Sequence, residues 1–147
     1  NALAQQIFLA GGPAIHFNYI KASSYGDNTV SSGNVEIEGQ IPFVRERDVM
    51  IVEDIVDTGL TVDRLRRYLV EEREAASVRT CSLLEKPVRR MPELQDTLRL
   101  DYVGFIVPNV FVAGYGIDCA EQLREMPYIV AVRQAYFEER RTAEQNA

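Results

Sequence analysis

The sequence predicts an α/β fold with a central, mainly parallel β-sheet flanked by helices. Residues 48–52 form a continuous, largely apolar run, which is typical of a strand covered on both faces in a parallel sheet. Apolar residues at helical spacing follow over residues 60–74, and a second strand is predicted at 77–84. The order strand, helix, strand is typical of parallel crossover units. The length of 147 residues suits one domain, 1–147, because neither an internal repeat nor a linker is present.

The amino-terminal part of the chain predicts a helix and then a hairpin. Apolar residues at helical spacing predict a helix over residues 1–9, and the Gly-Gly-Pro run at 11–13 ends it. Residues 14–22 alternate like a strand, which residues 35–38 complete as a hairpin. The polar stretch at 23–34 is interpreted as a flexible lid loop, although a simple connector is about as common.

The later elements are predicted from the same patterns. The helix over residues 60–74 is expected to bury a stripe of three residues, Leu65, Tyr68 and Leu69. Further strands are expected at 102–107, 111–114 and 128–132. The charged tail at 134–147 predicts a final helix.

The composition is that of an ordinary globular protein and excludes several function classes. The hydrophobic fraction is 46% and the net charge is −6, which argues against nucleic-acid binding because phosphate backbones call for clustered Lys and Arg. Cys81 and Cys119 form no CxxC pair and His16 is the only histidine, so a zinc site is not expected. No apolar run reaches the length of a membrane span, so no membrane partner is expected. Two cysteines kept as thiols are typical of the reducing cytoplasm, where we expect the protein.

The segment VEDIVDTGLT combines acidic residues with a favourable place for an anion. Glu53 and Asp54 follow the apolar strand directly, so we expect them at the carboxyl edge of the sheet, where open α/β sheets bind ligands. The next helix begins near Gly59, and its first N–H groups lack internal partners. Gly59 permits close approach to the backbone, while Thr58 and Thr61 add hydroxyl donors. Together these features favour a phosphate site.

The acidic side chains and the anion-binding helix start together indicate the kind of ligand that this segment binds. The sequence lacks the Gly-x-x-x-x-Gly-Lys of a Walker loop, so one phosphate monoester is a more natural ligand than a triphosphate. Carboxylates accept hydrogen bonds from sugar hydroxyls or face a hydrated Mg²⁺. A sugar phosphate therefore satisfies both groups. The alternative is an acidic loop in which Asp57 only caps the helix.

The stretch VMIVEDIVDTGLT, residues 49–61, resembles the phosphoribosyl-pyrophosphate signature of type I phosphoribosyltransferases. Within that family the chain is similar to the hypoxanthine-guanine branch, because three further blocks occur in the family's order. These are SSYG at 23–26, LLEKPVRR at 83–90 and YVGFIVPNVFVAGYGIDCAEQLR at 102–124. The resemblance implies the type I phosphoribosyltransferase fold, with a lid hairpin and a small base-binding hood.

The resemblance assigns the acidic segment to the ribose phosphate. It implies that Glu53 and Asp54 hold the ribose hydroxyls, directly or through Mg²⁺. Asp57 would lie near purine N7 and serve as the general base. The 5′-phosphate would be bound by Thr58, Gly59 and Thr61, with the backbone of Asp57 and Leu60.

The resemblance assigns the purine and the leaving group to the downstream blocks. Lys86 would donate to the oxygen at purine C6, which favours a keto purine over adenine. Phe111 would stack on the base, and Val112 would contact it through its backbone. Asp118 would help to bind a second Mg²⁺, and Arg124 would bind pyrophosphate, for which a guanidinium fork is suited.

The implied reaction is a Mg²⁺-dependent transfer of phosphoribosyl from phosphoribosyl pyrophosphate to hypoxanthine or guanine. It gives IMP or GMP plus pyrophosphate, a step of purine salvage. Ser24 and Tyr25 of the lid would exclude water from the oxocarbenium-like transition state. The resemblance also implies a homodimer or homotetramer. Two alternatives stay open, namely a phosphoribosyltransferase for xanthine or uracil and a non-catalytic regulator that binds the same ligands.

The sequence departs from the family pattern in two ways. The family carries a Leu-Lys-Gly-like pyrophosphate loop after its first core strand, and the sequence contains none. We therefore expect an amino-terminal segment before Asn1. Asn109 stands where an acid is frequent and Leu123 where an aromatic residue is frequent, which leaves the fine substrate preference open.

Overall fold

The computed structural model describes residues 2–24, 35–38, 43–119, 121–133 and 135–137. The helices and strands, in chain order, are α1 (Ala2–Leu9), β1 (Lys21–Ser24), β2 (Val35–Glu38), β3 (Asp48–Val56), α2 (Leu60–Arg67), β4 (Ser77–Glu85), β5 (Tyr102–Ile106), β6 (Val112–Ala113) and β7 (Val130–Ala131). A π-helical turn occupies Tyr68–Glu72, and 3₁₀ turns occupy Pro87–Arg89 and Pro92–Leu94.

The main sheet contains three parallel strands in the order β3–β4–β5. Asp48 pairs with Ser77 at one end of β3, and Val56 pairs with Glu85 at the other. Helix α2 connects β3 to its parallel neighbour β4, which is the crossover unit that the sequence predicts. The predicted α/β class with a parallel sheet is therefore confirmed.

Strand β3 is longer than its apolar run predicts. It continues to Val56 instead of ending at Val52, because the β-branched Ile55 and Val56 keep the ladder to β4 intact. Glu53 and Asp54 therefore lie inside the strand and not after it, which corrects the expectation from the sequence.

Only one face of β3 is well covered over its first part, residues 48–52. Ile51 is buried, whereas its neighbours Met50 and Val52 are 41% and 59% exposed. The expectation of burial on both faces was wrong for the described part of the chain. A continuous apolar run shows that a strand can be covered, but the neighbouring elements decide which face is packed.

Helix α2 forms the core on the covered face. Leu65 and Leu69 are buried against Ile51 and Val44, and the partly buried Tyr68 packs on the same cluster. This confirms the predicted stripe. The predicted single helix is divided, since the α-helix ends at Arg67 and continues as the π-helical turn.

The predicted hairpin is present, but its first strand is displaced. Strands β1 and β2 pair antiparallel, with Lys21 opposite Glu38. The strand predicted at 14–22 was wrong for most of its length, because residues 12–20 form no regular structure. Alternation becomes a strand only where a partner supplies the ladder, and β2 pairs with 21–24 alone.

A second, smaller sheet lies beyond β5. Strands β6 and β7 pair antiparallel over two residues each, with Val112 opposite Ala131. They lie within the strands predicted at 111–114 and 128–132. Of the predicted terminal helix, residues 135–137 are helical and the rest falls outside the described residues. None of the described helices has the length and apolar character needed to cross a membrane.

Candidate active site

A left-handed turn at Gly59 joins β3 to α2. Gly59 caps the amino end of α2 with φ 86°, and its carbonyl accepts a hydrogen bond of 2.9 Å from the N–H of Asp63. A Cβ at this position would collide with Nη1 of Arg90 and lie 2.6 Å from Cδ2 of Leu98. Glycine is therefore required both for the backbone angle and for the space.

The segment Glu85–Met91, termed the backing segment, packs behind this turn through its backbone. The N–H of Lys86 donates to the carbonyl of Val56 at 2.9 Å. The N–H of Met91 donates to the carbonyl of Thr58 at 3.0 Å. The end of β3 and the start of the turn are thus fixed to a segment that follows β4.

Two arginine side chains of the backing segment contact the same turn. Nε of Arg89 donates to Oδ1 of Asp57 at 3.2 Å. Nη2 of the buried Arg90 donates to Oε1 of Glu85 at 2.6 Å, and its Nη1 lies against Gly59. No side chain in the described residues caps α2, and Asp57 pairs with Arg89, so the alternative that Asp57 only caps the helix is not supported.

The two acids of β3 differ in their environments. Glu53 is half-buried, and its burial raises the pKa of its carboxyl group, with a further increase from the nearby charge of Asp54. Asp54 is exposed, and its Oδ1 accepts a hydrogen bond of 2.7 Å from the N–H of Ile55. Carboxylate oxygens of this kind suit sugar hydroxyls or a hard divalent cation.

Lys86 and Phe111 lie close together at the junction of the two sheets. Lys86 is only 8% exposed, and its Nζ is 5.8 Å from the centre of the Phe111 ring. The ring itself is 60% exposed, while Val112 beside it is buried against Leu84. A largely buried lysine whose ammonium lies beside an exposed aromatic ring can hold a flat ligand that carries a hydrogen-bond acceptor.

Asp118 and Arg124 form an ion pair in a tight turn. Oδ1 of Asp118 is 3.0 Å from Nη2 of Arg124, and its Oδ2 accepts the N–H of Glu121 at 3.1 Å. Nη1 of Arg124 donates to the carbonyl of Gly116 at 2.9 Å. Within the described ranges, no three His, Cys, Asp or Glu side chains converge into a metal centre.

The lid residues are described only in part. Ser24 is the last residue of β1, so the first two positions of the predicted lid loop belong to a strand. Tyr25 and the rest of that loop lie outside the described residues.

Residues 1–119 match the family model of the phosphoribosyl transferase domain. The chain belongs to the phosphoribosyl transferase family. The resemblance in the sequence and the parallel sheet with its turn agree with this assignment.

Relatives and solved structures of phosphoribosyltransferases cover most of the chain. It is 42% identical over 128 residues to the hypoxanthine-guanine phosphoribosyltransferase of Bacillus subtilis, covering 84% of this chain and 67% of that protein. It is 43% identical over 126 residues to the bifunctional TilS/HprT protein of Listeria monocytogenes, covering 85% of this chain and 19% of that protein. A solved hypoxanthine phosphoribosyl transferase of Trypanosoma cruzi superposes with a TM-score of 0.83 at 35% identity, covering 95% of this chain and 69% of that one. The chain thus spans about a fifth of the bifunctional relative and about two thirds of the others.

The structure adds residues to the candidate site that sequence reasoning missed. Arg89, Arg90 and Glu85 all contact the turn or support a residue that does. Their signal in the sequence is the Arg-Arg pair of LLEKPVRR, within a block used only for the resemblance and for Lys86. Nothing in the local pattern indicates that one of the two arginines is buried.

Proposed function

We propose that this phosphoribosyltransferase transfers phosphoribosyl from phosphoribosyl pyrophosphate to hypoxanthine or guanine, in purine salvage. The proposal depends chiefly on one observation. The backing segment joins the turn that suits a sugar phosphate to Lys86, which suits the oxygen of a 6-oxopurine. The names of the relatives from Bacillus subtilis and Trypanosoma cruzi support the same activity.

The ribose phosphate binds along β3 and the turn that follows it. Glu53 and Asp54 accept hydrogen bonds from the ribose hydroxyls. The N–H groups at the start of α2 bind the 5′-phosphate, because they lack intrahelical partners and carry partial positive charge. The groups of this phosphate site are Thr58, Gly59, Thr61 and the backbone of Asp57 and Leu60.

The purine binds between Lys86 and the small sheet. Phe111 stacks on the ring, Val112 contacts it through its backbone, and Lys86 donates to the C6 oxygen. An ammonium at that point discriminates against adenine, whose C6 amino group is itself a donor. Asp57 accepts the proton that the purine releases as it attacks ribose C1, and it stabilises the positive ribose in the transition state.

The pyrophosphate leaves past Asp118 and Arg124. Nη2 of Arg124 pairs with Asp118, while its Nη1 donates to the carbonyl of Gly116, and a guanidinium of this kind is suited to phosphate oxygens. The carboxylates of Glu53, Asp54 and Asp118 offer the hard oxygen ligands that Mg²⁺ prefers. A cation would also relieve the repulsion between the neighbouring charges of Glu53 and Asp54. When bound, Mg²⁺ neutralises charge on the leaving pyrophosphate.

The lid residues Ser24 and Tyr25 cover the reactants and keep water away from ribose C1. The protein acts in the cytoplasm as a homodimer or homotetramer. The apolar side chains of Met50 and Val52, exposed on one face of the main sheet, offer area that another subunit can cover.

Nucleotide formation on a panel of bases tests this function. The purified protein is incubated with Mg²⁺, phosphoribosyl pyrophosphate and one of hypoxanthine, guanine, xanthine, uracil or adenine, and the nucleotide and pyrophosphate are quantified. We expect IMP and GMP with equimolar pyrophosphate, and far slower reactions with the other bases. Faster product formation from xanthine or uracil would replace the proposal with another phosphoribosyltransferase. Binding of phosphoribosyl pyrophosphate without turnover of any base would favour a regulator.

A further inference from the structure

Arg90 is a buried cation with one nitrogen left unsatisfied. The residue is 6% exposed, and its Nη2 pairs with Oε1 of Glu85 at 2.6 Å. Its Nη1 is also buried and has no hydrogen-bond partner within the described residues. Such groups are uncommon, because leaving a buried charged donor unpaired is costly.

The unsatisfied nitrogen is directed at the turn that begins α2. A Cβ added to Gly59 would collide with Nη1 of Arg90 and lie 3.0 Å from its Cδ, so the guanidinium lies directly against the Gly59 backbone. The N–H of the next residue, Met91, donates to the carbonyl of Thr58 at 3.0 Å. This backbone hydrogen bond and the contact with Gly59 together fix the position of Arg90 relative to the turn.

Two positive groups therefore meet at this point. The start of α2 carries the partial positive charge of its N–H groups, and the guanidinium of Arg90 adds a full charge from behind. Glu85 compensates part of that charge through Nη2, while Nη1 faces the turn. Two positive groups held close together with little solvent repel each other. An anion that binds beside them offsets this repulsion, so the turn should attract an anion.

We propose that Arg90 is a positioning residue for the 5′-phosphate. Its contact fixes the Gly59 turn in the shape that presents the N–H groups of α2, and its charge strengthens the attraction of that turn for a dianionic phosphate monoester. The inference rests on the proposed function, because it requires that this turn binds the 5′-phosphate of the substrate.

Titration with ribose 5-phosphate tests the role without requiring turnover. Arg90→Met removes the charge and the fork while keeping much of the side-chain length. We expect its affinity for ribose 5-phosphate, measured by calorimetry, to fall by about tenfold, the size of one lost charge-assisted interaction. The KM for phosphoribosyl pyrophosphate rises by a similar factor, while the KM for hypoxanthine does not change. Arg99→Met is the matched control, since Arg99 is exposed and outside the site, and it should bind like the unmodified protein.

The conservative variant separates a positioning role from loss of the fold. Arg90→Lys keeps a charge for Glu85 but has no second nitrogen beneath Gly59, so we expect a folded protein whose affinity for ribose 5-phosphate falls by roughly threefold. If Arg90→Met melts far below the unmodified protein, Arg90→Lys decides the matter. Unchanged affinity in a folded Arg90→Lys or Arg90→Met overturns the inference, as does an equal rise in the KM of both substrates.

The two proposals fail in different ways. An unmodified protein that binds ribose 5-phosphate but forms no nucleotide contradicts the proposed function, while the binding comparison still decides the role of Arg90. A protein that forms IMP but whose Arg90 variants bind ribose 5-phosphate normally contradicts only the inference about Arg90. An unmodified protein with no affinity for ribose 5-phosphate contradicts the inference directly.

Discussion

In the turn after β3, contacts with the backing segment restrict which residue can occupy a position and how its side chain is oriented. Gly59 has both a left-handed backbone and no room for a Cβ, because Arg90 and Leu98 lie against it. Asp57 has one carboxylate oxygen within 3.2 Å of Nε of Arg89, so its orientation is restrained before any substrate binds. These contacts link the identity of each residue to a particular step of the proposed reaction.

Gly59→Ala should destabilise the protein more than the same change at a left-handed glycine with free space around it. The left-handed backbone alone costs about 1 kcal/mol with a side chain present, and displacement of Arg90 and Leu98 adds an overpacking cost of roughly 1–3 kcal/mol. We expect a clear loss in the free energy of unfolding, measured with urea, together with weaker binding of ribose 5-phosphate. Gly11→Ala is the control, because Gly11 has φ 78° but no atom within 4 Å of its added Cβ. Equal losses in the two variants would show that the contact at Gly59 is unimportant.

Asp57→Asn should act on turnover and not on substrate binding. The amide keeps the shape of the side chain but cannot accept the purine proton, and general bases contribute typically about 10²–10⁴-fold to rates. We therefore expect kcat for IMP formation to fall by at least about a hundredfold, with a much smaller change in the KM for phosphoribosyl pyrophosphate. Asp96→Asn, at an exposed position, should leave both constants unchanged. A large rise in KM with normal kcat would refute the role of Asp57 as base.

At the scale of elements, β3 serves both the core and the candidate site. Its first part supplies Ile51 to the core, and its last part holds Glu53 and Asp54 within a parallel ladder. Burial in that ladder raises the pKa of the Glu53 carboxyl group from its ordinary value of 4.5. The ionised form of Glu53 is therefore less stable in the folded chain than in the unfolded chain.

Glu53→Gln should stabilise the ligand-free protein at neutral pH. Because the folded pKa is raised, stability associated with Glu53 is present below pH 4.5 and is lost as the pH rises through the raised folded pKa. The neutral Gln escapes that loss, so the variant should melt at a higher temperature than the original at pH 7, and this advantage should shrink towards pH 4. Glu71→Gln, at an exposed position, serves as the control. If the melting temperatures of Glu53→Gln and the original protein differ by the same amount at pH 7 and pH 4, burial of the charged Glu53 is not the cause of its raised pKa.

At the scale of the whole molecule, the site is assembled from segments that are distant in the sequence. The parallel ladder places the carboxyl ends of β3 and β4 side by side, which brings the backing segment behind the turn. A separate core cluster of Leu84, Val112 and Ile117 attaches the small sheet to the main one and sets Phe111 near Lys86. The proposed purine site therefore depends on packing between two sheets.

Lys86→Met should impair use of the purine and spare the ribose phosphate. The side chain is buried, so methionine fills its volume, but the hydrogen bond from a charged donor is lost, worth about 1.5–3 kcal/mol. We expect kcat/KM for hypoxanthine to fall by roughly 10- to 100-fold, and affinity for ribose 5-phosphate to be unchanged in calorimetry. Equal loss of affinity for both ligands would show that Lys86 supports the backing segment and does not recognise the base.

The sequence by itself determined the class of fold and predicts the chemistry of the turn. Local periodicity predicts β3, α2 and β4 as a parallel crossover, because the patterns of strands and helices depend on neighbouring residues alone. The acids, threonines and glycine of VEDIVDTGLT predict a sugar phosphate for the same reason, since the chemistry is contained in one short segment.

Only the tertiary structure decided which face of β3 is buried and which arginine supports the turn. Met50 and Val52 are as apolar as Ile51, but α2 and the π-helical turn cover Ile51 and leave Met50 and Val52 exposed. Arg89 and Arg90 are identical in the sequence, yet one is half-exposed beside Asp57 and the other is buried beneath Gly59. The contacts of the two arginines join residues about thirty positions apart, which the pairing of β3 with β4 brings together, so they leave no mark in the local sequence.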